Sequence, residues 1–304
     1  MFEAASQYYD EDATQAEIAE RLGVSRPTVS RLLAEARRVG IVEITVRLPE
    51  GRGDDTLAAQ VANALRLQQV YLVPTVSGTA TGRWLAPGVA RALQDASLAA
   101  GDVVLVSSGL TVYGCVQQEL PLMPGVIVAP AVGGQEEPEP WYQTNLIVSL
   151  LADRIGGRPI YLYAPALPSA ALLRPLMKEP SFLRVQQLWA RARCALIGVG
   201  GAPGARTVIP SFVPTGSVGL RDAVGDVCSR FYSAAGDPVK YPGSERLVAI
   251  SFDLLHRIPS SIAVAAGQDK AASILAAARA GYFSRLVTDV ATASGLLAVA
   301  RSPR

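Results

Sequence analysis

The sequence predicts an α/β protein in which a small helical segment precedes a large domain built on a parallel sheet. Helix start and stop signals crowd residues 14–40, a polar Gly- and Pro-rich break covers residues 49–56, and short apolar runs alternate with helical patterns beyond it. Half of the 304 residues are hydrophobic, which is enough to bury a large core. We therefore predict two domains, at residues 1–50 and 57–304.

The first signals describe a short helix over residues 15–22. Thr14 is placed as its N-cap with Glu17 three residues later, which is the pattern of a capping box. Ile18 and Leu22 recur at helical spacing, and Gly23 follows, where a left-handed residue ends a helix at least cost. A turn of about three residues then leads to the next start signal, as in a helix-turn-helix.

The second helix starts at Ser25 as N-cap, with Pro27 in its first turn. An advance of about 100° per residue places Val29, Leu32, Leu33 and Ala36 on one buried stripe. The opposite face is small, hydroxyl-bearing and cationic, and such a face can enter a DNA major groove. The candidate DNA contacts are Ser25, Arg26, Thr28, Ser30 and Arg31. A helical hairpin with a merely solvated face is the alternative.

Residues 41–49, "IVEITVRLP", alternate apolar and polar side chains and predict a wing-like strand beside these helices. The net charge of the chain is only +2, so the basic character is local: acids dominate residues 1–20 and arginines dominate residues 21–38. No apolar run is long enough to cross a membrane, and no basic-then-apolar leader opens the chain. We therefore expect a cytoplasmic protein without a membrane partner.

Apolar runs free of alternation predict strands that are buried on both faces of a parallel sheet, with helices between them. The predicted strands are 70–73, 103–107, 126–130, 160–165, 194–200, 247–252, 262–267 and 285–289. The predicted helices include 82–95, 143–155, 168–191 and 270–280. Ligands of such folds bind outside the carboxyl ends of the strands.

Two of these strand ends carry candidate anion ligands. "VSSGLTVYG" brings Ser108, Gly109 and Thr111 to the start of a helix, where backbone N–H groups and the helix dipole attract negative charge. Lys270 follows a strand and Gly267, and it suits a phosphate as a point charge. The alternatives are a plain strand-to-helix turn and a solubilising surface lysine.

Other chemistries lack their residues. His256 is the sole histidine, and neither the three cysteines nor any carboxylate cluster has the spacing of a metal site. "GVGGAP" at 198–203 lacks the third glycine of a dinucleotide fingerprint. We expect no metal, no cofactor and no catalytic residues. A sugar-phosphate isomerase type of enzyme stays an alternative, since it needs only a carboxylate and a lysine.

Several segments in order along the chain resemble the SorC (SorC/DeoR-type) family of sugar-responsive bacterial transcriptional regulators. They are residues 8–44, "GLT", "IGVGG", "LRDAVGDVCSRFYSAAGDPV", "AAGQDKAASILAAARAG" and "LVTD". The resemblance implies a winged helix-turn-helix joined to a Rossmann-like, sugar-phosphate-isomerase-like effector domain. It also implies homo-oligomers, either dimers or tetramers, whose binding to double-stranded operator DNA is changed by a phosphorylated sugar.

The resemblance also implies an effector pocket. Its residues would be Ser108, Gly109, Thr111, Gly133, Gln143, Asp237 and Lys270. Gly109 and Thr111 would cradle phosphate, Lys270 would neutralise it, and Gln143 and Asp237 would bond sugar hydroxyls. Two positions depart from some members: Leu110 replaces a threonine, and Val132 replaces an arginine. Without that cation, a monophosphate or an uncharged polyol fits better than a diphosphate.

The main hypothesis is therefore a regulator of a carbohydrate catabolic operon, controlled by a sugar phosphate or polyol. One rival is an isomerase-like enzyme with an appended DNA-binding domain. A constitutive DNA-binding protein with a vestigial pocket is the other.

Overall fold

The computed structural model describes residues 1–42, 55–75, 81–205 and 209–301. The chain divides into two compact units, Met1–Gly51 and Arg52–Arg304, and each is described separately below. Among the described residues, no helix combines the length and the apolar character that crossing a membrane requires.

The N-terminal unit consists of α1 (Phe2–Tyr9), α2 (Gln15–Leu22) and α3 (Arg26–Arg38). Thr14 and Glu17 form the predicted capping box, and Gly23 ends α2 in the left-handed conformation, with φ at 63°. Ser25 caps α3 by accepting the Thr28 N–H. The helix-turn-helix is therefore confirmed. The predicted wing at residues 41–49 lies mostly outside the described residues.

The small core of this unit forms where the apolar stripes of the three helices meet. Its fully buried side chains include Ala4, Ile18, Val29 and Ala36, and Leu33 is nearly so. Leu32, predicted on the same stripe, packs against this core while half-exposed. The opposite face of α3 is left to solvent.

The large unit is built on a seven-stranded sheet, as far as the structure describes it, with the order β1-β9-β8-β5-β2-β3-β4. All of its strand pairs are parallel. The strands of this sheet are β1 (Gln69–Val73), β2 (Val103–Val106), β3 (Ile127–Pro130), β4 (Arg158–Pro159), β5 (Cys194–Gly198), β8 (Ser260–Val264) and β9 (Arg285–Asp289). A separate antiparallel hairpin pairs β6 (Ala223–Val227) with β7 (Arg230–Ser233). The predicted parallel α/β fold is confirmed.

Helices connect the strands and cover the sheet. They are α4 (Asp55–Leu65), α5 (Thr81–Asp95), α6 (Leu110–Val116), α7 (Thr144–Ile155), α8 (Ala170–Leu176), α9 (Pro180–Ala190), α10 (Phe252–Arg257), α11 (Ala271–Arg279) and α12 (Val290–Arg301). Successive residues of β2 enter different apolar clusters, since Val103 and Leu105 join one and Val104 and Val106 join the other. Both faces of the sheet are therefore buried, as the uninterrupted apolar runs predict.

The strand predicted at residues 160–165 was wrong, since β4 covers only the two residues before it. β4 ends at Pro159, and beyond it the backbone pairing consists of the Ile160 N–H, which donates to the Val128 carbonyl, and an isolated parallel bridge between Gly134 and Pro165. The Asn145 side chain then takes both backbone groups of Leu162, at 3.0 and 3.1 Å, in place of a neighbouring strand. Burial explains the apolar run, and the Asn145 side chain satisfies the backbone of Leu162 between the two points of backbone pairing.

The strand predicted at residues 247–252 was also wrong, since this segment forms an isolated antiparallel bridge, between Val132 and Ala249, and no strand of the sheet. The Arg230 guanidinium donates to the carbonyls of Ala249 and Ile250 at 2.8 and 2.7 Å, and these carbonyls would otherwise need a strand partner. The helix predicted over residues 168–191 is split into α8 and α9, since Pro175 and Pro180 cannot supply the N–H groups of one continuous helix. The β6–β7 hairpin was not predicted.

Candidate functional site

The exposed face of α3 carries the residues predicted to contact DNA. Arg26, Ser30 and Arg31 are exposed, while Thr28 is half-buried. Ser25 Oγ lies 2.8 Å from Thr28 Oγ1 and also caps the helix, so these two hydroxyls are fixed relative to its first turn. The result is a short, rigid surface with two arginines and three hydroxyls.

Two other arginines of this unit form ion pairs with carboxylates. Arg38 donates to both carboxylate oxygens of Glu35, and this contact raises the pKa of Arg38 and lowers that of Glu35. Arg21 lies 3.4 Å from Glu11. Within residues 1–42, Arg26 and Arg31 have no ion pair of this kind, so their guanidinium groups can bind phosphates or guanine.

The large unit contains a cavity of about 410 Å³ beyond the carboxyl ends of β2, β5 and β8. Its described lining comes from strand-end loops, from the β6–β7 hairpin and from the segment before α11. The lining residues are Ser108, Gly109, Leu110, Thr111, Val112, Gln135, Tyr142, Gly198, Val199, Gly200, Gly201, Ala202, Pro210, Val224, Asp226, Cys228, Ser229, Asp269, Lys270 and Ala272. This is the edge at which parallel α/β proteins bind their ligands.

The loop after β2 is fixed from below by Ser107. Its buried hydroxyl donates to the Ser108 carbonyl at 2.9 Å and accepts the Gly198 N–H at 3.0 Å, which ties the ends of β2 and β5 together. Gly109 has a φ of 128°, which only glycine adopts readily. Its N–H donates to the Trp141 carbonyl at 2.8 Å and is therefore not available to an anion. The candidate anion ligands of this loop are then Ser108 and, at the start of α6, Thr111.

The opposite wall carries charge of both signs. Lys270 is half-buried at the end of the short 3-10 turn Gln268–Lys270. Asp226, on β6, is buried with 8% of its surface exposed, and its carboxylate accepts the Ser229 N–H at 3.0 Å. An ammonium group and a carboxylate in one lining suit a ligand with an anionic end and hydroxyl groups.

The turn between β6 and β7 has an uncommon backbone conformation. Cys228 and Ser229 have φ values of 52° and 62°, in the left-handed region that residues with side chains seldom enter. Burial raises the pKa of the Cys228 thiol to about 12, so this thiol is protonated and unreactive at neutral pH.

Four of the seven residues that the resemblance implies for the pocket line this cavity, namely Ser108, Gly109, Thr111 and Lys270. The structure places the other three outside the described lining. The buried N–H of Gly133 donates to the Val248 carbonyl, Gln143 donates from Nε2 to the Glu137 carbonyl, and Asp237 is exposed after β7.

Sequence reasoning missed Gln135 and Asp226 among the polar residues of the lining. Gln135 follows β3 and the Gly133–Gly134 pair, so its place at a strand end was a usable signal. No sequence pattern indicated Asp226, because the hairpin that carries it was not predicted. Among the described residues, no three His, Cys, Asp or Glu side chains cluster as a metal site would require.

Comparison with known proteins decides the family. The family model described as "Putative sugar-binding domain" matches residues 51–298, and the "Sigma-70, region 4" model matches residues 6–39. The chain is 31% identical to the Sorbitol operon regulator of Klebsiella pneumoniae, over 96% of each chain. This chain belongs to the SorC family of sugar-binding transcriptional regulators.

Further relatives agree with this assignment. The Deoxyribonucleoside regulator of Bacillus subtilis is 31% identical, over 97% of this chain and 96% of its own length. The crystal structure of the full-length Sorbitol Operon Regulator SorC from Klebsiella pneumoniae matches with a TM-score of 0.74 and 30% identity, over 97% of each chain. Since these relatives are named regulators, the interpretation of the chain as a transcriptional regulator is confirmed.

Proposed function

We propose that this regulator binds operator DNA through Ser25, Arg26, Thr28, Ser30 and Arg31, and that a sugar phosphate or polyol in the cavity changes that binding. The regulated genes would form a carbohydrate catabolic operon. Relatives named as regulators of a sorbitol operon and of deoxyribonucleosides support this class of ligand.

The observation that carries the proposal is the composition of the cavity. Lys270 supplies the cation for a phosphate, while Ser108 and Asp226 supply partners for hydroxyl groups, all at the carboxyl edge of a parallel sheet. The volume of about 410 Å³ falls within the range of small-molecule sites. Among the described residues of the lining, Lys270 is the one cation, which favours a single phosphate over a diphosphate.

Not all the predicted effector residues have the same support. The positions of Ser108, Thr111 and Lys270 support direct contact with the ligand. The contacts of Gly133 and Gln143 support a structural role in the segment that follows β3. A Cβ at Gly133 would lie 2.8 Å from the Pro165 carbonyl oxygen, and Gln143 donates a hydrogen bond to the Glu137 carbonyl. A contact from Asp237 would require the exposed end of the hairpin to move.

Regulation requires the ligand to bind the DNA-competent and DNA-incompetent arrangements unequally. We propose that residues 1–50 form the DNA-binding domain, and that residues 57–304 bind the effector and form a homo-oligomer, either a dimer or a tetramer. Oligomerisation would place paired α3 helices in major grooves about 34–36 Å apart on a pseudo-palindrome.

The test combines footprinting with ligand binding. We expect the full chain to protect a site upstream of its own or neighbouring genes, and we expect one member of a sugar-phosphate and polyol panel to raise its melting temperature and change that protection. Lys270→Met should abolish the response to phosphorylated ligands. Lys178→Met is the matched control, because Lys178 is exposed and does not belong to the cavity lining.

Two results would contradict the proposal. Failure to protect any such site would remove the operator assignment. An unchanged melting temperature across the whole panel would instead leave a constitutive DNA-binding protein.

A further inference from the structure

Gln135 is a buried amide in the wall of the cavity, and resemblance to the family gave it no role. It follows β3 and has 8% of its surface exposed. Its side chain lines the cavity together with Ser108, which comes from the loop after β2. Two neighbouring strand ends therefore bring these polar groups together.

The amide uses only one of its two ends. Gln135 Nε2 lies 2.9 Å from Ser108 Oγ and donates a hydrogen bond to it. Gln135 Oε1 is buried, and none of the residues that the structure describes donates a hydrogen bond to it. Buried amide oxygens in folded proteins almost always have a donor, so this oxygen lacks a partner that a ligand can supply.

Ser108 complements this oxygen. Because its Oγ accepts from Gln135, its own hydroxyl proton remains to be donated to a ligand. The wall thus offers an acceptor at Gln135 Oε1 and a donor at Ser108 Oγ. A hydroxyl group is both donor and acceptor and can satisfy both, whereas a phosphate dianion has no proton to give to Gln135.

We propose that Gln135 and Ser108 together bind one hydroxyl group of the effector and so determine specificity for a hydroxylated carbon skeleton. The inference rests on the proposed function, since it needs the cavity to hold an effector. The ligand hydroxyl donates to Gln135 Oε1 and accepts from Ser108 Oγ. This contact requires the buried Oε1 to turn toward the cavity, and the soft terminal torsion of a glutamine permits such a rotation.

Lys270 and Gln135 then recognise different parts of one molecule. Lys270 interacts with an anionic end by charge, and Gln135 recognises a hydroxyl by hydrogen bonding. A site that is built to bond a hydroxyl discriminates against the analogue without it, because its polar groups are left unpaired. The cavity should therefore distinguish a sugar phosphate from its deoxy analogue.

The experiment measures dissociation constants of the full chain by isothermal titration calorimetry. The probes are glucose 6-phosphate, fructose 6-phosphate, ribose 5-phosphate, sorbitol 6-phosphate and free sorbitol, followed by the monodeoxy analogues of the tightest binder. Wild-type protein should bind one of these analogues about tenfold more weakly than the parent compound. Gln135→Met, which keeps the length of the side chain, should weaken the parent about tenfold and bind it and that analogue equally.

Controls separate this inference from the proposed function. Gln68→Leu changes an exposed glutamine outside the cavity lining and should leave all constants unchanged. Ser108→Ala should equalise the same pair of ligands, and it provides a second variant if Gln135→Met does not fold. If Gln135→Met keeps the wild-type preference, or weakens the parent and every analogue alike, the inference is overturned while the proposed function stands. If wild-type protein binds no probe, the proposed effector itself is overturned.

Discussion

The two units present their functional side chains in opposite ways. In the N-terminal unit, the candidate DNA contacts lie within seven consecutive residues at the start of α3, and all of them except the half-buried Thr28 are exposed. In the large unit, the polar groups of the cavity come from separate loops, and no one of these loops carries the whole set. Ser107 and Gly198, which are hydrogen-bonded beneath the cavity, are 91 positions apart in the chain.

This difference separates what each site depends on. The α3 surface needs only its caps and a small core, because a helix fixes the relative positions of its own residues. The cavity depends on the register of the sheet, because a shift of one strand would move the lining residues that follow it away from those that follow the other strands. Changes in packing should therefore damage the cavity far more than they damage the DNA-binding surface.

The largest effect is expected from Gly82→Leu. Gly82 lies in α5, and a Cβ there would lie 2.3 Å from the Thr111 carbonyl oxygen and 2.9 Å from Gly114 Cα. The side chain would push α6 and the cavity loop away, and it should cost at least about 2 kcal/mol of unfolding free energy. Chemical denaturation and ligand titration check this. Hydrogen exchange in α2 and α3 should not change, and equal loss of protection there would break the comparison.

Arg31→Ala should have the next largest effect, and only on DNA binding. Loss of a guanidinium contact to a base or phosphate should weaken operator binding by about 1–3 kcal/mol. Fluorescence polarisation at one fixed salt concentration measures this, with ligand binding as the internal control. Arg38→Ala is the matched variant, since Arg38 already pairs with Glu35, and it should weaken binding less. Loss of ligand binding in Arg31→Ala would point to misfolding.

Thr14→Ala tests how much the N-terminal unit depends on local signals. The Thr14 hydroxyl accepts the Glu17 N–H, and the Thr14 backbone N–H donates to the Glu17 carboxylate, which lowers the pKa of Glu17. Loss of the side-chain cap should cost about 1 kcal/mol and speed hydrogen exchange in α2 about fivefold. Because the folded-state pKa of Glu17 is depressed, its stabilising effect is present above the unfolded value and is lost as the pH falls through the folded value. Exchange rates equal to wild type at neutral pH would argue against this dependence.

Gly295→Ala should produce the smallest change, and in the opposite direction. Gly295 lies inside α12, and a Cβ there would meet no atom within 4 Å. Alanine should stabilise the large unit by about 0.5–1 kcal/mol through its higher helix propensity. Thermal denaturation of the full chain checks this. At Gly82, in contrast, the lack of space for a side chain and not helix propensity determines the effect on stability.

The sequence predicted α2 and α3 nearly residue by residue, because their determinants are local, whereas α1 was not predicted. Caps at Thr14 and Ser25, the terminator Gly23 and the stripe through Val29 all act within one or two turns of helix. The parallel sheet was also predicted, because burial on both faces leaves uninterrupted apolar runs. Such runs failed as a guide at residues 160–165 and 247–252, where the backbone pairs through isolated bridges and the side chains of Asn145 and Arg230 bind other backbone groups.

The cavity could be predicted only in part, for the same physical reason. Ser108, Thr111 and Lys270 sit at strand ends that the pattern located. Asp226 reaches the cavity on an antiparallel hairpin, and the Gln135 pair with Ser108 joins residues that no local rule connects. Hydrogen bonds between distant segments leave no periodic trace in the sequence.

The pairing of the first strand of the sheet with the last has a consequence for the protein while it is being made. β1 has β9 as its neighbour at the sheet edge, and Tyr71 accepts a hydrogen bond from Arg285, 214 positions later. On the ribosome, α2 and α3 therefore emerge and can fold long before β1 finds its partner, since nascent chains fold from the N-terminus as units. A growing chain would complete the exposed face of α3 first, and the cavity, whose lining includes Lys270, would form only after a much longer stretch had been made.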